Sequence, residues 1–413
     1  MKIAFINELF LPFAPGGGEW STYYLAKSLA KKGNRVIVIT PNYGAPRHEI
    51  MEGVTVKRFP FYAKLQKNNI FLGNFFYTNP VWYFWSILMY FWYLRRENPD
   101  VVHIHGKYSI PPIFIADIFL RKPLLATIRD YQVICNYGMC LTYSDKACSL
   151  KGYFLKDFPQ YYQDYVKNKS SITLASNLAF AIWGRISSNF LLFFARKLTV
   201  VTLSGKQKEI FLANGFRKVL VIGNSTDFPN QKSNIKKENI VIFAGRLSKG
   251  KGVEIIIDSL SEFFTRFPQF KFVFAGEGFL KEKLLSMSQT EKRMEVLGQM
   301  EHDKLLALYR KAKLVIVPSL WPEPFGRIAL EALSQGTPAV VTDKGGLPEI
   351  IKNGRWGVVV QATPCELLSG IKKALKNNIK LQKNIEKDMD KIKDKFGRAI
   401  CEKYLNLYRE LLK

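Results

Sequence analysis

Residues 317–351, VPSLWPEPFGRIALEALSQGTPAVVTDKGGLPEII, constrain the fold most, because they read as two consecutive strand-to-helix crossovers. The run 314–317 is short, β-branched and ended by Pro318, which suits a strand buried on both faces of a parallel sheet. Pro322 and Pro324 keep the next loop extended, since a residue before proline is pushed out of the helical region. Gly326 opens a helix through Gln335, Gly336 and Pro338 end it, and residues 339–342 form the next strand. Gly345-Gly346 then turns the chain into another helix. Helix-start N–H groups attract anions, so 325–327 and 345–347 are a candidate phosphate cradle.

Two glutamates bracket this unit. Glu323 sits in the loop between two prolines, and Glu331, eight residues on, lies on the helix. Taken alone, Glu331 is equally a solvated helical residue and Glu323 a partner of the helix dipole. The E-x7-E spacing with PEPFG, EAL and GTPAVV resembles the donor-site signature of the retaining glycosyltransferases of family 4.

The rest of the chain alternates strands and helices in the same way. Residues 2–7 form a strand, 11–18 a glycine-rich loop, and 19–32 a helix with apolar residues on one face, stopped by Gly33. The loop lacks the spaced third glycine of a dinucleotide fingerprint and has no Walker lysine. Further strands fall at 35–40, 53–59, 100–105, 122–128, 198–203 and 219–222, with Ser204 capping a short helix. Residues 239–244 begin a second series, followed by GRLSKGKGVEIIIDSL, whose Val253, Ile256, Ile257 and Leu260 make one helix face. Residues 272–276, 296–299 and 357–360 complete it, and 399–412 form a last amphipathic piece.

The resemblance to family 4 covers nearly the whole chain and implies an α/β fold of the GT-B kind, two Rossmann-like domains with parallel sheets facing an interdomain cleft. It implies an acceptor-side domain at 1–227, a nucleotide-sugar domain at 228–395, and a terminal helix, 396–413, packed back on the first. Residues 228–238 are the linker candidate. By the same resemblance Gly17 and Gly18 let backbone approach the donor, Arg246 and Lys251 hold its diphosphate, and the loop of Gln299 lies against the base. Pro324, Phe325 and Gly326 assist the phosphates, Glu323 binds sugar hydroxyls and Glu331 the ribose. A cationic pair suits a leaving pyrophosphate, on which charge builds as the glycosidic bond breaks. By this resemblance the leaving phosphate itself is expected to deprotonate the acceptor on the same sugar face, so that no enzymic nucleophile is needed.

The sequence departs from the family at one acceptor-side position. Members carry T-x-H-D after the fifth strand, and here Arg129 stands where the histidine would be, followed by Asp130. Arginine cannot be a general base at neutral pH, so Arg129 is expected to neutralise a phosphate or orient an acceptor, or to pair with Asp130. His105, at the end of its strand, is a third acceptor-side candidate. The only D-x-D is Asp388 to Asp390, inside a basic helix, so no metal and no cofactor is expected, the nucleotide-sugar being a substrate.

The net charge of +27 over 413 residues points to an anionic partner, and charge alone does not choose between phosphates, a membrane surface and nucleic acid. Residues 81–94, VWYFWSILMYFWYL, are too few to cross a bilayer and read either as a buried helix or as one lying in the membrane interface. The expected partners are a nucleotide-sugar, a lipid-linked or glycan acceptor and an anionic membrane surface, with no nucleic acid. No export signal follows Met1, which favours a cytoplasmic enzyme, and the aromatic and basic excess of the first domain favours peripheral attachment at the inner face of the membrane. Cys135, Cys140 and Cys148 cluster in a loop, but their spacing fits no common zinc pattern and predicts ordinary thiols. Two other readings remain: a nucleotide-sugar epimerase on the same fold, and a non-enzymatic protein binding polyanions or membranes. The first releases nucleotide without an acceptor; the second binds vesicles or nucleic acid but no nucleotide-sugar.

Overall fold

A computed structural model describes residues 1–14, 16–65, 75–142, 144–165, 174–226, 228 and 236–413. The chain divides into two compact units, one of Met1–Ser225 with Phe396–Lys413, the other of Thr226–Lys395. Most of the linker candidate, with Asp227 before it, lies outside the described residues.

The first unit is built on eight strands: β1 (Lys2–Ile6), β2 (Arg35–Pro41), β3 (His48–Met51), β4 (Val54–Phe59), β5 (Val101–Ile104), β6 (Leu124–Thr127), β7 (Thr199–Thr202) and β8 (Val219–Val221). Their order is β3-β4-β2-β1-β5-β6-β7-β8, parallel apart from the β3–β4 hairpin at the edge. Strand β3 is absent from the sequence reading because HEIM is half exposed and carries no buried run. The order reverses beside β1, so the loops after β1 and β5 open at a switch point, where such sheets bind ligands.

The helix Ala399–Leu411 returns to this unit and places Ile400, Tyr404, Leu405 and Tyr408 in one core with Phe5, Leu25, Val36 and Val101. Burying each such side chain contributes roughly 1.5–3 kcal/mol. The aromatic stretch forms the helix Pro80–Glu97, capped by Asn79, whose side chain accepts from Trp82 N at 2.8 Å. Trp82, Ser86, Tyr90 and Leu94 are buried, whereas Val81, Phe84, Leu88 and Trp92 on other faces are exposed. One helix among the described residues, at 176–195, is long and apolar enough to cross a membrane. It is held on the unit by Phe190 against Tyr83 at 5.4 Å and Phe194 against Phe114 at 5.3 Å.

The second unit has six parallel strands, β9 (Glu238–Ala244), β10 (Lys271–Ala275), β11 (Met294–Gly298), β12 (Ala312–Val317), β13 (Ala339–Thr342) and β14 (Gly357–Val360), in the order β11-β10-β9-β12-β13-β14. Val241, Phe243, Phe272, Phe274, Leu314 and Ile316 interlock with Val253, Ile256, Leu260 and Phe263 of the helix Val253–Arg266. Both units are thus Rossmann-like parallel-sheet domains. Asp388 of the D-x-D is structural: it accepts from Arg355 Nη2 and Trp356 Nε1, both at 2.8 Å, and Arg355 holds its carboxyl well below the usual range.

Candidate active site

In the second unit the functional side chains collect on loops at the carboxyl ends of β9 and β12. The turn Lys249–Lys251 closes at Gly252, whose φ of 75° and contact with the Pro318 carbonyl leave no room for a Cβ, which would meet that oxygen at 1.8 Å. Leu320 N donates back to the Gly250 carbonyl at 3.0 Å. Those two contacts bring Lys251 to Glu323, and the ammonium forms an ion pair with Glu323 Oε1. Ser319 Oγ donates to the same oxygen at 2.7 Å, and Thr342 Oγ1 holds the Ser319 carbonyl at 2.7 Å. Burial pushes the Glu323 carboxyl up, but Lys251, with Ser319 and Trp321, outweighs it and leaves the group below its ordinary value.

The loops after β12 and β13 are also joined. Gly346 N donates to the Glu323 carbonyl at 2.7 Å. That bond corrects part of the phosphate cradle expected at 345–347, since the Gly346 amide is already engaged and the helix Leu347–Ile350 is one turn long. Pro324, Phe325 and Gly326 are buried directly ahead of the helix Arg327–Ser334. Glu331 is not a solvated helical residue: it is buried and accepts from Arg327 Nε at 2.6 Å, with His302 Nε2 at 3.8 Å. Burial lowers the pKa of that histidine although Glu331 draws it upward.

Arg246 is exposed after β9, and its side chain makes no hydrogen bond or ion pair with the described residues. Its loop is fixed by Gly245 N to the Ala275 carbonyl at 2.9 Å and Leu247 N to the Glu277 carbonyl at 2.8 Å. Gln299 is exposed beyond β11, its N–H directed at Glu277 Oε1, 3.3 Å away.

The first unit gathers a second set around β1, β5 and β6. Gly17 and Gly18 begin the helix Gly17–Lys31, and a Cβ on Gly18 would sit 3.4 Å from Arg129 Cδ. Arg129 does not pair with Asp130, as the sequence allowed. Its Nη1 donates to His105 Nδ1 at 2.9 Å, and Asp130 pairs instead with Lys107, which also bonds Gln132. Because arginine only donates, His105 carries its hydrogen on Nε2, which is buried and has no partner among the described residues. Burial, then His103 and Arg129, keep His105 uncharged well below its ordinary pKa. His103 is fully occupied, bonded to Tyr408 OH and Thr127 Oγ1 at 2.7 Å each.

Glu8, missing from the sequence candidates, follows β1 and accepts from Ser109 N at 2.6 Å and Ser109 Oγ at 2.7 Å. Burial pushes its carboxyl up to about 7. The signal that finds it is its place two residues past a central strand, close to the position after β5 that His105 holds. Ser319 and Lys107 also lie close behind strands, but their roles depend on loops folding onto one another, which that position does not specify.

Residues 225–391 match the family Glycosyl transferases group 1, and residues 15–133 match Glycosyltransferase Family 4. An uncharacterized glycosyltransferase of Methanocaldococcus jannaschii is 27% identical over 400 residues, which span 91% of this chain and 89% of that one. Sucrose-phosphate synthase from Thermosynechococcus elongatus has a similar solved structure, with a TM-score of 0.70 and 19% identity over 99% of this chain and 98% of that one. Anabaena HepE, solved with UDP and glucose, gives 0.64 and 21% over 98% and 99%. With a match in each half and that fold, the chain belongs to the GT-B glycosyltransferases of the family 4, group 1 type.

Proposed function

We propose that the enzyme transfers a hexosyl group, with retention, from a nucleotide-sugar to a lipid-linked or glycan acceptor at the inner face of the cell membrane. The observation that carries this reading is the buried Glu323 held anionic by Lys251 at the end of β12. A carboxylate accepts from two sugar hydroxyls, and the neighbouring ammonium meets the diphosphate that the same sugar leaves behind. Arg246 is an exposed cation one loop away, and Phe325 and Gly326 lie at a helix start whose dipole favours the phosphates. Glu331 binds the ribose through exchange of its Arg327 partner, and Gln299 borders the base.

Arg129 and His105 serve the acceptor side, the first as a fixed positive charge and the second as a neutral Nε2–H donor. Neither takes a proton at neutral pH, so the acceptor proton goes to the departing phosphate, which is the route that retains configuration. No metal is assigned to this step, because Asp388 of the D-x-D is held by Arg355 and Trp356. Turnover without added magnesium or manganese is the expected result. The membrane reading rests on Val81, Phe84, Leu88 and Trp92 of Pro80–Glu97, exposed beside Arg95 and Arg96, and on exposed Ile186 and Phe193 of the longer helix. Anionic vesicles are expected to retain the protein, and Phe84→Ser with Trp92→Ser to release it.

A thermal-shift screen with UDP-, GDP- and ADP-sugars tests the donor side, since a bound ligand raises apparent stability. NMR of the product anomer tests retention. An inverted anomer rejects the mechanism, and no shift with any nucleotide-sugar rejects the donor assignment.

A further inference from the structure

Four potential ligands converge in the segment after β6, away from the residues assigned above. Cys135, Cys140 and Cys148 offer their Sγ atoms and Asp157 a carboxylate oxygen, and these four atoms all lie within 4.8 Å of one another. Their spacing along the chain predicts ordinary thiols, because Cys135 and Cys140 stand at the wide limit of a zinc pair and no second close pair follows them. The fold supplies what the spacing hides. Cys135 ends a tight turn that starts at Tyr131, and Asp157 closes the π-helical turn Tyr153–Asp157. Such turns recur where a helix must aim a particular side chain.

Ordinary thiols do not account for this cluster. Asp157 is 2% exposed; its Oδ2 accepts from Cys135 Sγ at 3.0 Å, and its Oδ1 has no partner among the described residues. A buried carboxyl with an unmet oxygen costs stability. A disulfide would use two of the sulfurs and leave the third thiol and the carboxyl as they are. A single divalent ion satisfies all four donors. Tetrahedral zinc at a Zn–S distance of ~2.3 Å sets neighbouring sulfurs about 3.8 Å apart, so the observed cluster needs only a small contraction. A multinuclear iron–sulfur cluster holds its thiolates farther apart than one ion does and does not fit this spacing.

We propose that Cys135, Cys140, Cys148 and Asp157 bind one zinc ion as a structural site. Three thiolates and a carboxylate leave the bound site net negative. Arg185 stands beside it, its Nη2 donating to the Cys148 carbonyl at 3.4 Å and its guanidinium over the Tyr153 ring at 5.2 Å. The buried core around the cluster is otherwise small, with Tyr153, Phe158 and Ala181. A core of that size gains stability from a metal staple. The staple begins five residues after Asp130, so it fixes the far end of the loop that carries Arg129 and Asp130.

The test uses the full-length protein purified under reductant without chelator. Elemental analysis is expected to find one zinc per chain, and Cys140→Ser and Cys148→Ser are each expected to lose it, while Cys365→Ser, at an exposed site, keeps it. Protein stripped of metal is expected to take up one equivalent of cobalt(II), with a thiolate-to-cobalt absorption band. Metal-free protein without that band overturns the proposal, as does stoichiometric zinc retained by both variants. A disulfide joining two of the three cysteines under reductant, seen by mass spectrometry, also overturns it. The wild-type measurements decide even if a variant fails to fold.

Discussion

Two glutamates in loops that follow strands, one in each unit, share an exposure of 8% and a serine hydroxyl at 2.7 Å, Glu8 with Ser109 and Glu323 with Ser319. Burial pushes Glu8 up to about 7, while at Glu323 the same burial is outweighed and the carboxyl lies below its ordinary value. The difference is where the nearest lysine points. Lys251 bonds Glu323 directly, whereas Lys107 bonds Asp130 and Gln132 and reaches Glu8 only through its field. One carboxyl is therefore a fixed anion that can accept sugar hydroxyls. The other changes charge near neutrality.

The largest expected effect comes from breaking the direct pair. Glu323→Ala or Lys251→Ala should lower turnover by about 10²–10³-fold, the range for loss of one charge-stabilising group, with circular dichroism unchanged. Full turnover in both variants would remove the site from this loop. Lys251→Met sharpens the comparison, because it leaves Glu323 in the situation of Glu8. Its titration should rise above the ordinary range, and the activity that survives should fall away on the acid side of the pH profile.

Next comes Glu8→Gln. The folded chain keeps the Glu8 proton between its ordinary value of 4.5 and about 7, where the unfolded chain has lost it. Folding stability from this group is therefore greatest below 4.5 and declines as pH rises through that window, by about 3 kcal/mol in all. Glutamine keeps the acceptor for Ser109 and removes the dependence. Urea unfolding of the two proteins at pH 5 and pH 7.5 measures it, and parallel losses in both would show that Glu8 is not the source.

Smaller effects are expected on the acceptor side. Arg129→Ala should cost about 10-fold in turnover, from one lost charged contact, and let the His105 titration rise, which NMR of the imidazole reads directly. Asp130→Asn frees the Lys107 ammonium to turn toward Glu8. The Glu8 titration should then move down, changing stability at neutral pH by about 1 kcal/mol. An unmoved midpoint would mean that burial alone sets Glu8.

The parts of this arrangement legible in the sequence are those made by neighbours in the chain. Pro322, Pro324, Gly326 and Gly345-Gly346 announce the crossovers around Glu323, and the strands of the second unit fall close to where apolar runs place them. What stayed hidden depends on loops meeting. Asp130 bonds Lys107, 23 residues back, instead of its neighbour Arg129, and no local pattern specifies that choice. The half-buried edge strand β3 and the convergence of Cys135, Cys140 and Cys148 with Asp157 have the same cause.

The return of Ala399–Leu411 to the first unit bears on how the protein is made. Tyr408 OH and Tyr404 OH complete a hydrogen-bonded chain through His103 and Thr127, so the middle of that unit is sealed by residues translated some 300 positions after it. A nascent chain emerging from the ribosome can close the second domain while the first still exposes its apolar centre. The order of completion then runs opposite to the order of synthesis, and the waiting domain is the one that bears the exposed aromatic helix.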